Sequence, residues 1–259
     1  MPATTDRQTL ILSHLMRDGQ VLVDDLAAAL DVTTQTIRRD LTALCQSGQA
    51  VRVHGGARVP GSIANVGYDV RQRTFSAEKA AIGSAAAALI PDACSVMINI
   101  GTTTEHAARA LVAHRDLVVI SNNINVINLL MTSRARELIL AGGAVRPSDG
   151  AIVGEDAVGF IERYKADYAI IGASAIDTDG AVLDFDAREV SVARAILRNA
   201  RCKILIADHT KFAATAPVRI CDLSEVDHFI TDTPPPPGFA AHALEVGVKI
   251  HVTENGPTI

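Results

Sequence analysis

Residues 33–44, TTQTIRRDLTAL, constrain this chain more than any other stretch. Wound as a helix, they place Gln35, Arg38, Arg39 and Thr42 on one face at i, i+3, i+4 and i+7, and Ile37, Leu41 and Leu44 on the other. Thr33 supplies a hydroxyl that can accept a first-turn N–H, so the helix is predicted to start there. Upstream, DDLAAALDV reads as a short helix burying Leu26, Ala27 and Leu30, followed by a tight turn of about four residues. A short helix, a turn and a second helix carrying Gln and Arg outward form a helix-turn-helix geometry, which predicts DNA reading. An amphipathic helix with two solvated arginines is the plainer alternative.

The flanking residues favour the first reading. QAVRVHGGARV (49–59) alternates and is predicted to turn at Gly55-Gly56 as a hairpin wing carrying Arg52, His54 and Arg58. From 34 to 58 the charges are Arg38, Arg39, Arg52 and Arg58 against Asp40, whereas residues 1–33 carry Arg7 and Arg17 against Asp6, Asp18, Asp24, Asp25 and Asp31. The formal net charge of −5 opposes DNA, so the binding charge has to be local.

Beyond residue 75 the pattern changes. Apolar runs SVMINI (95–100), LVVIS (117–121), ELILA (137–141), YAIIGAS (168–174) and KILIAD (203–208) alternate with helical stretches at 103–112, 123–132, 155–164 and 186–200. That is the signature of a mostly parallel sheet covered on both faces, an α/β fold. Residues 4–18 read as a first helix, Ser76 as the cap of an Ala-rich helix, and Asp179-Gly180 as a hairpin. HFIT (228–231) and VKIHV (248–252) read as further strands, and Pro234–Pro237 as an extended run. The expected organisation is a winged helix-turn-helix domain at 1–59, a linker at 60–75 (PGSIANVGYDVRQRTF) and a Rossmann-like domain at 76–259. Cys45, Cys94, Cys202 and Cys221 show no metal-ligand spacing, so a zinc site is not expected. With no leader pattern and no apolar run of spanning length, the expected location is the cytoplasm.

In an open parallel sheet ligands bind at the carboxyl ends of the strands. Here those ends read Gly101-Thr102-Thr103-Thr104, Ser121-Asn122-Asn123, Gly142-Gly143 and Asp208-His209-Thr210-Lys211. Small residues and hydroxyls at helix starts, with a lysine nearby, suit a small phosphorylated or otherwise anionic molecule. Taken singly, each is equally a capped turn, a turn-forming pair of asparagines or a solvated lysine; their coincidence carries the prediction. No GxxxxGK[ST] and no GxGxxG occurs, which argues against the common nucleotide sites. Asp177, Asp184, Asp186 and Glu189 cluster around the second hairpin; with Lys211 they could move protons on a sugar phosphate, or simply accept bonds from its hydroxyls. No catalytic signature is present, so no catalytic residue and no cofactor is assigned.

VTTQTIRRDL and VRVHGGA closely resemble the DNA-binding domain of DeoR-type bacterial regulators, and IGTTTEHAARAL, AGGAVRP, ADYAIIGASAID and DHTKF extend the resemblance over nearly the whole chain. It implies a winged helix-turn-helix domain joined to a Rossmann-like sugar-phosphate sensor related to ribose-5-phosphate isomerase. The implied activity is transcriptional repression by an oligomer, at least a dimer, relieved by a phosphorylated sugar or polyol. The family's motif carries onto Thr34, Gln35, Thr36, Arg38 and Arg39 for DNA, onto Gly101, Thr102 and Thr103 for phosphate, and onto Lys211 as the sensor lysine. Ile100 departs from the acidic or serine residue of many relatives, and Thr33 from a serine cap. SNNINVINLLM, RPSDGAIVGE, LDFDAREV and ITDTPPPP resemble the branch responding to glycerol 3-phosphate, which implies that molecule as inducer, with Asp184 and Glu189 on its hydroxyls. The expected operator is double-stranded DNA carrying an inverted repeat. A sugar-phosphate isomerase-like enzyme with an accessory DNA-binding domain is the alternative.

Overall fold

The computed structural model describes residues 6–18, 20–47, 49–53, 55–58 and 68–253. The chain divides into two units, Met1–Val70 and Arg71–Ile259.

The first unit runs α1 (Asp6–Asp18), β1 (Gln20–Leu22), α2 (Val23–Ala29), α3 (Thr34–Gln46), β2 (Val51–Val53) and β3 (Gly56–Arg58). Ile37, Leu41 and Leu44 of α3 are fully buried against Ile11 and Leu15 of α1 and Val23 and Leu26 of α2. Each such side chain contributes about 1.5–3 kcal/mol when taken out of water. Asp31 turns the chain between α2 and α3 in the left-handed region (φ 51°), a conformation that Asp tolerates better than most residues.

The wing departs from expectation in two ways. The strands pair Val53 with Gly56, so Gly56, expected in the turn, belongs to the strand. The reason is a third strand that the sequence reading lacked: β1 pairs with β3, and a Cβ on Gly56 would lie 1.9 Å from the Val21 carbonyl oxygen.

The second unit begins in α4 (Tyr68–Arg73), a helix where a linker was expected, followed by α5 (Ser76–Ala88). Residues 60–67 of that linker lie outside the described residues. The cap position of α5 is Phe75 in the left-handed region (φ 57°), with no side-chain cap bond, so Ser76 is the first helical residue rather than the cap. Then come β4 (Ser95–Ile98), α6 (Thr102–Leu111), β5 (Val118–Ser121), α7 (Ile124–Leu130), β6 (Glu137–Leu140), β7 (Val145–Arg146), β8 (Ala151–Ile152) and α8 (Glu155–Ile161). They are followed by β9 (Ala166–Ile171), β10 (Ala175–Ile176), β11 (Ala181–Asp184), α9 (Ala187–Arg198), β12 (Ala200–Ile206), a 3-10 turn at His209–Ala213, β13 (Val218–Asp222), β14 (His228–Thr231), α10 (Pro237–Val246) and β15 (Lys249–Val252).

Seven strands form one parallel sheet in the order β15-β14-β12-β9-β4-β5-β6. Alternate residues bury on opposite faces. Val96, Ile98, Ile170, Ile204 and Ile230 join Ile82, Ala86 and Leu111 of α5 and α6. Met97, Ala169, Ile171, Leu205 and Phe229 join Ile161, Ile196 and Phe239 of α8, α9 and α10. A small antiparallel sheet, β10-β11-β13, carries the hairpin expected near Asp179-Gly180. The chain enters at β4, proceeds outward to β6, and returns to the other side of β4 at β9. The order therefore reverses between β4 and β9, the kind of switch point outside whose strand carboxyl ends open α/β sheets bind ligands.

Candidate functional site

The outer face of α3 is built for contact. Thr33 Oγ1 accepts the Thr36 amide at 3.3 Å and starts the helix. Gln35, Arg38, Arg39 and Thr42 are exposed, and Thr34 and Thr36 are half-buried. The side chains of Gln35, Arg38 and Arg39 hold no hydrogen bond among the described residues. Asp40, the one acidic residue of the helix, does not offset them at the surface: it is 5% exposed and paired with Arg7 Nε at 2.5 Å, with Gln8 Nε2 at 3.4 Å. The outward charge of α3 is thus purely positive. Arg52 is exposed on β2, Arg58 is half-buried on β3, and His54 lies outside the described residues.

The second candidate site lies at the strand ends around β4. Gly101, the cap residue of α6, has φ 140°, a value that disfavours any side chain; its carbonyl accepts from Thr104 Oγ1 (2.7 Å) and the Glu105 amide (3.0 Å). The first-turn amides of Thr102 and Thr103 are left without intrahelical partners and favour an anion. Two buried amide oxygens nearby lack partners: Oδ1 of Asn99, at the end of β4, and Oδ1 of Asn122, at the end of β5. Asn122 Nδ2 is already engaged by the Ile152 carbonyl at 3.0 Å, so its free oxygen can only accept. Buried acceptors of this kind call for a donor such as a hydroxyl.

At the end of β12, Asp208 is buried, and its Oδ1 accepts the Thr210 amide at 3.1 Å and the Thr210 hydroxyl. Burial drives its pKa upward, but Lys211, Thr210 and Lys79 outweigh this and hold it below the usual range. Lys211 is half-buried, and its ammonium makes no hydrogen bond or ion pair among the described residues.

Some expected ligand residues are turned to other work. Glu189 is buried against the Arg146 guanidinium, which also binds Asp149 and Asp186. Burial and neighbouring Asp184 push Glu189 up to about 7, while Arg146 pulls the other way. Asp184 accepts Ser174 Oγ at 3.0 Å and the Phe185 amide at 2.6 Å. Gly142 and Gly143 follow the edge strand β6, and a Cβ on Gly143 would meet Ile152, whose carbonyl accepts from Asn122. Two functional candidates went unnoticed in the sequence. Glu105 is a buried carboxylate bonded by Asn125 Nδ2 at 3.0 Å and Asn123 Nδ2 at 3.4 Å. Lys79 is a lysine only 3% exposed; its signal was its position, with Ile82, Gly83 and Ala86, on the apolar face of α5.

Comparison with known proteins matches both units of the chain. The DeoR-like helix-turn-helix domain matches residues 7–62, and the DeoR C-terminal sensor domain matches residues 74–233. The chain belongs to the DeoR family. The glycerol-3-phosphate regulon repressor of Haemophilus influenzae is 42% identical over 88% of this chain and 89% of that protein. The Escherichia coli protein of the same name is 41% identical over 90% and 92%. The repressor CsqR of Escherichia coli is 36% identical over 94% of each. Ribose 5-phosphate isomerase A of Methanocaldococcus jannaschii overlaps 54% of this chain and 55% of that one, at 15% identity and a TM-score of 0.40, too distant a likeness to carry an argument.

This DeoR-family chain is therefore a DNA-binding transcriptional regulator with a C-terminal sensor, and the isomerase alternative is set aside. Among the described residues, no helix is long and apolar enough to cross a membrane.

Proposed function

We propose that this DeoR-family regulator is a cytoplasmic repressor that leaves its operator when glycerol 3-phosphate binds at the strand ends around β4. In operator binding, α3 enters the major groove, Gln35 and Arg38 reach base edges, and Arg39, Arg52 and Arg58 hold phosphates. One helix reads few bases, so the acting form is at least a dimer and the operator an inverted repeat.

The observation that carries the effector reading is the pairing of opposite needs at neighbouring strand ends. The free amides of Thr102 and Thr103 and the unpaired Lys211 ammonium want an anion, while the unpartnered oxygens of Asn99 and Asn122 want hydroxyl donors. A phosphorylated polyol supplies both. The likeness to glycerol-3-phosphate regulon repressors selects the three-carbon member. Relief of repression requires tighter binding to the operator-incompetent state, since equal affinity shifts nothing.

The test is Lys211→Ala. It raises the glycerol 3-phosphate concentration for half-release of operator by about tenfold or more, the cost of one charge-assisted bond, and leaves ligand-free operator affinity unchanged. An unaltered half-release concentration contradicts the assignment.

A further inference from the structure

Lys79 fastens the segment with which the sensor unit begins. Its ammonium donates to the backbone carbonyl of Arg71 and, at 2.7 Å, to that of Thr74. These carbonyls lie at the end of α4 and in the turn behind it, immediately after the boundary between the two units. Phe75, the next residue, sets its ring edge-on to His209, with centroids 5.2 Å apart. His209 opens the 3-10 turn that carries Lys211, and both its amide (2.7 Å) and its Nδ1 (2.5 Å) bond Asp232. Residues 71–75 are thus fastened to α5 by the Lys79 ammonium and to the strand-end turn by the Phe75 ring.

The charged and titratable groups facing Lys79 are Asp208 and Lys211 after β12, Arg71 of α4, Glu78 beside it on α5, and His106 of α6. Burial holds the Lys79 ammonium down to about 8, so its charge is kept at a cost, with neutral carbonyls as its hydrogen-bond partners. A phosphate dianion is a far stronger partner for an ammonium than a carbonyl is.

Resting on the effector site described above, we propose that Lys79 is the residue that couples this site to the start of the sensor unit. An anion arriving beside Lys211 draws the Lys79 ammonium to itself and off the carbonyls of Arg71 and Thr74. The 71–75 segment, whose fastened position belongs to the operator-binding state, is then released. Lys79 here is a positioning residue: it reports the effector's charge to the chain that leads out of the sensor.

The experiment compares the full-length protein with Lys79→Met, measuring operator affinity without and with glycerol 3-phosphate. Typical couplings between sites are about 5–150-fold. Lys79→Met is expected to bind operator at least about tenfold more weakly without effector, and its with-to-without ratio is expected to fall close to one. Wild-type operator affinity without effector, or an intact ratio, overturns the inference. If Lys211→Ala abolishes the response while Lys79→Met keeps it, the site stands and the coupling fails; if neither substitution alters effector binding, the site reading itself fails. Should Lys79→Met not fold, hydrogen exchange on the wild-type protein decides. Glycerol 3-phosphate is expected to speed exchange of amides 71–76, and unchanged exchange at saturation overturns the proposal.

Discussion

The titration of Lys79 gives effector binding a pH dependence whose sign and size follow from its surroundings. Burial is the main influence lowering its pKa to about 8; Asp208 opposes, while Lys211 and Arg71 add to the lowering. A bound phosphate favours the ammonium and raises that pKa, so binding takes up a proton wherever free Lys79 is partly neutral. At pH 7 about nine in ten free molecules carry the charge, and at pH 9 about one in eleven. The phosphate ester is already close to a dianion above pH 7, with a second pKa of about 6. Affinity for glycerol 3-phosphate should therefore weaken by about tenfold from pH 7 to pH 9. Calorimetric titration at pH 8.5, in two buffers of different ionisation enthalpy, should register uptake of about three quarters of a proton per ligand. Lys79→Arg, charged throughout, should flatten the profile. Constant wild-type affinity across this range, or proton release, would refute the reasoning.

Other outcomes follow from packing and charge. Gly56→Ala drives a Cβ into the Val21 carbonyl and should destabilise the DNA-binding unit by about 3 kcal/mol, read as a lowered N-terminal unfolding transition; an unchanged transition contradicts the three-stranded wing. Arg146→Ala strips the counter-charge from Asp149, Asp186 and Glu189 and should cost about 3 kcal/mol in urea unfolding at pH 8. Glu189 has a raised pKa, so its contribution is present at low pH and lost as pH rises through about 7; the Arg146→Ala deficit should accordingly shrink at pH 5.5, and an equal deficit at both pH values contradicts the arrangement. Arg38→Ala should weaken operator binding by about 5–150-fold, equivalent to about 1–3 kcal/mol, with melting temperature and effector affinity unchanged. A lowered melting temperature would assign Arg38 to the core.

Legibility in the sequence tracked how local the determining physics is. The register of α3 could be read because a Thr cap, an apolar stripe and a polar stripe all lie within twelve consecutive residues, and Ile37, Leu41 and Leu44 are buried accordingly. The long parallel strands were legible as apolar runs because both their faces are covered. Short elements were not. β1 is three residues whose partner lies about 36 positions away, and β13 alternates too weakly to stand out. Pro234–Pro237 read as extended, yet Pro237 opens α10, where a missing N–H costs nothing at the first helical position. Gly101, Thr102 and Thr103 stood out by motif as phosphate candidates. Lys79 did not: a lone lysine in an Ala-rich helix looks solvated until the sheet buries it. The links from Glu105 to Asn123 and Asn125, and from Arg146 to Glu189, join residues 18 to 43 positions apart and exist only once the strands are ordered.

The measurement that bears most directly on the account is anisotropy of a labelled operator duplex bound by the full-length protein and titrated with glycerol 3-phosphate. The account predicts release of the duplex with a saturable dependence on glycerol 3-phosphate, and no comparable release by glycerol at the same concentrations. Operator affinity that stays constant up to saturating glycerol 3-phosphate would contradict it.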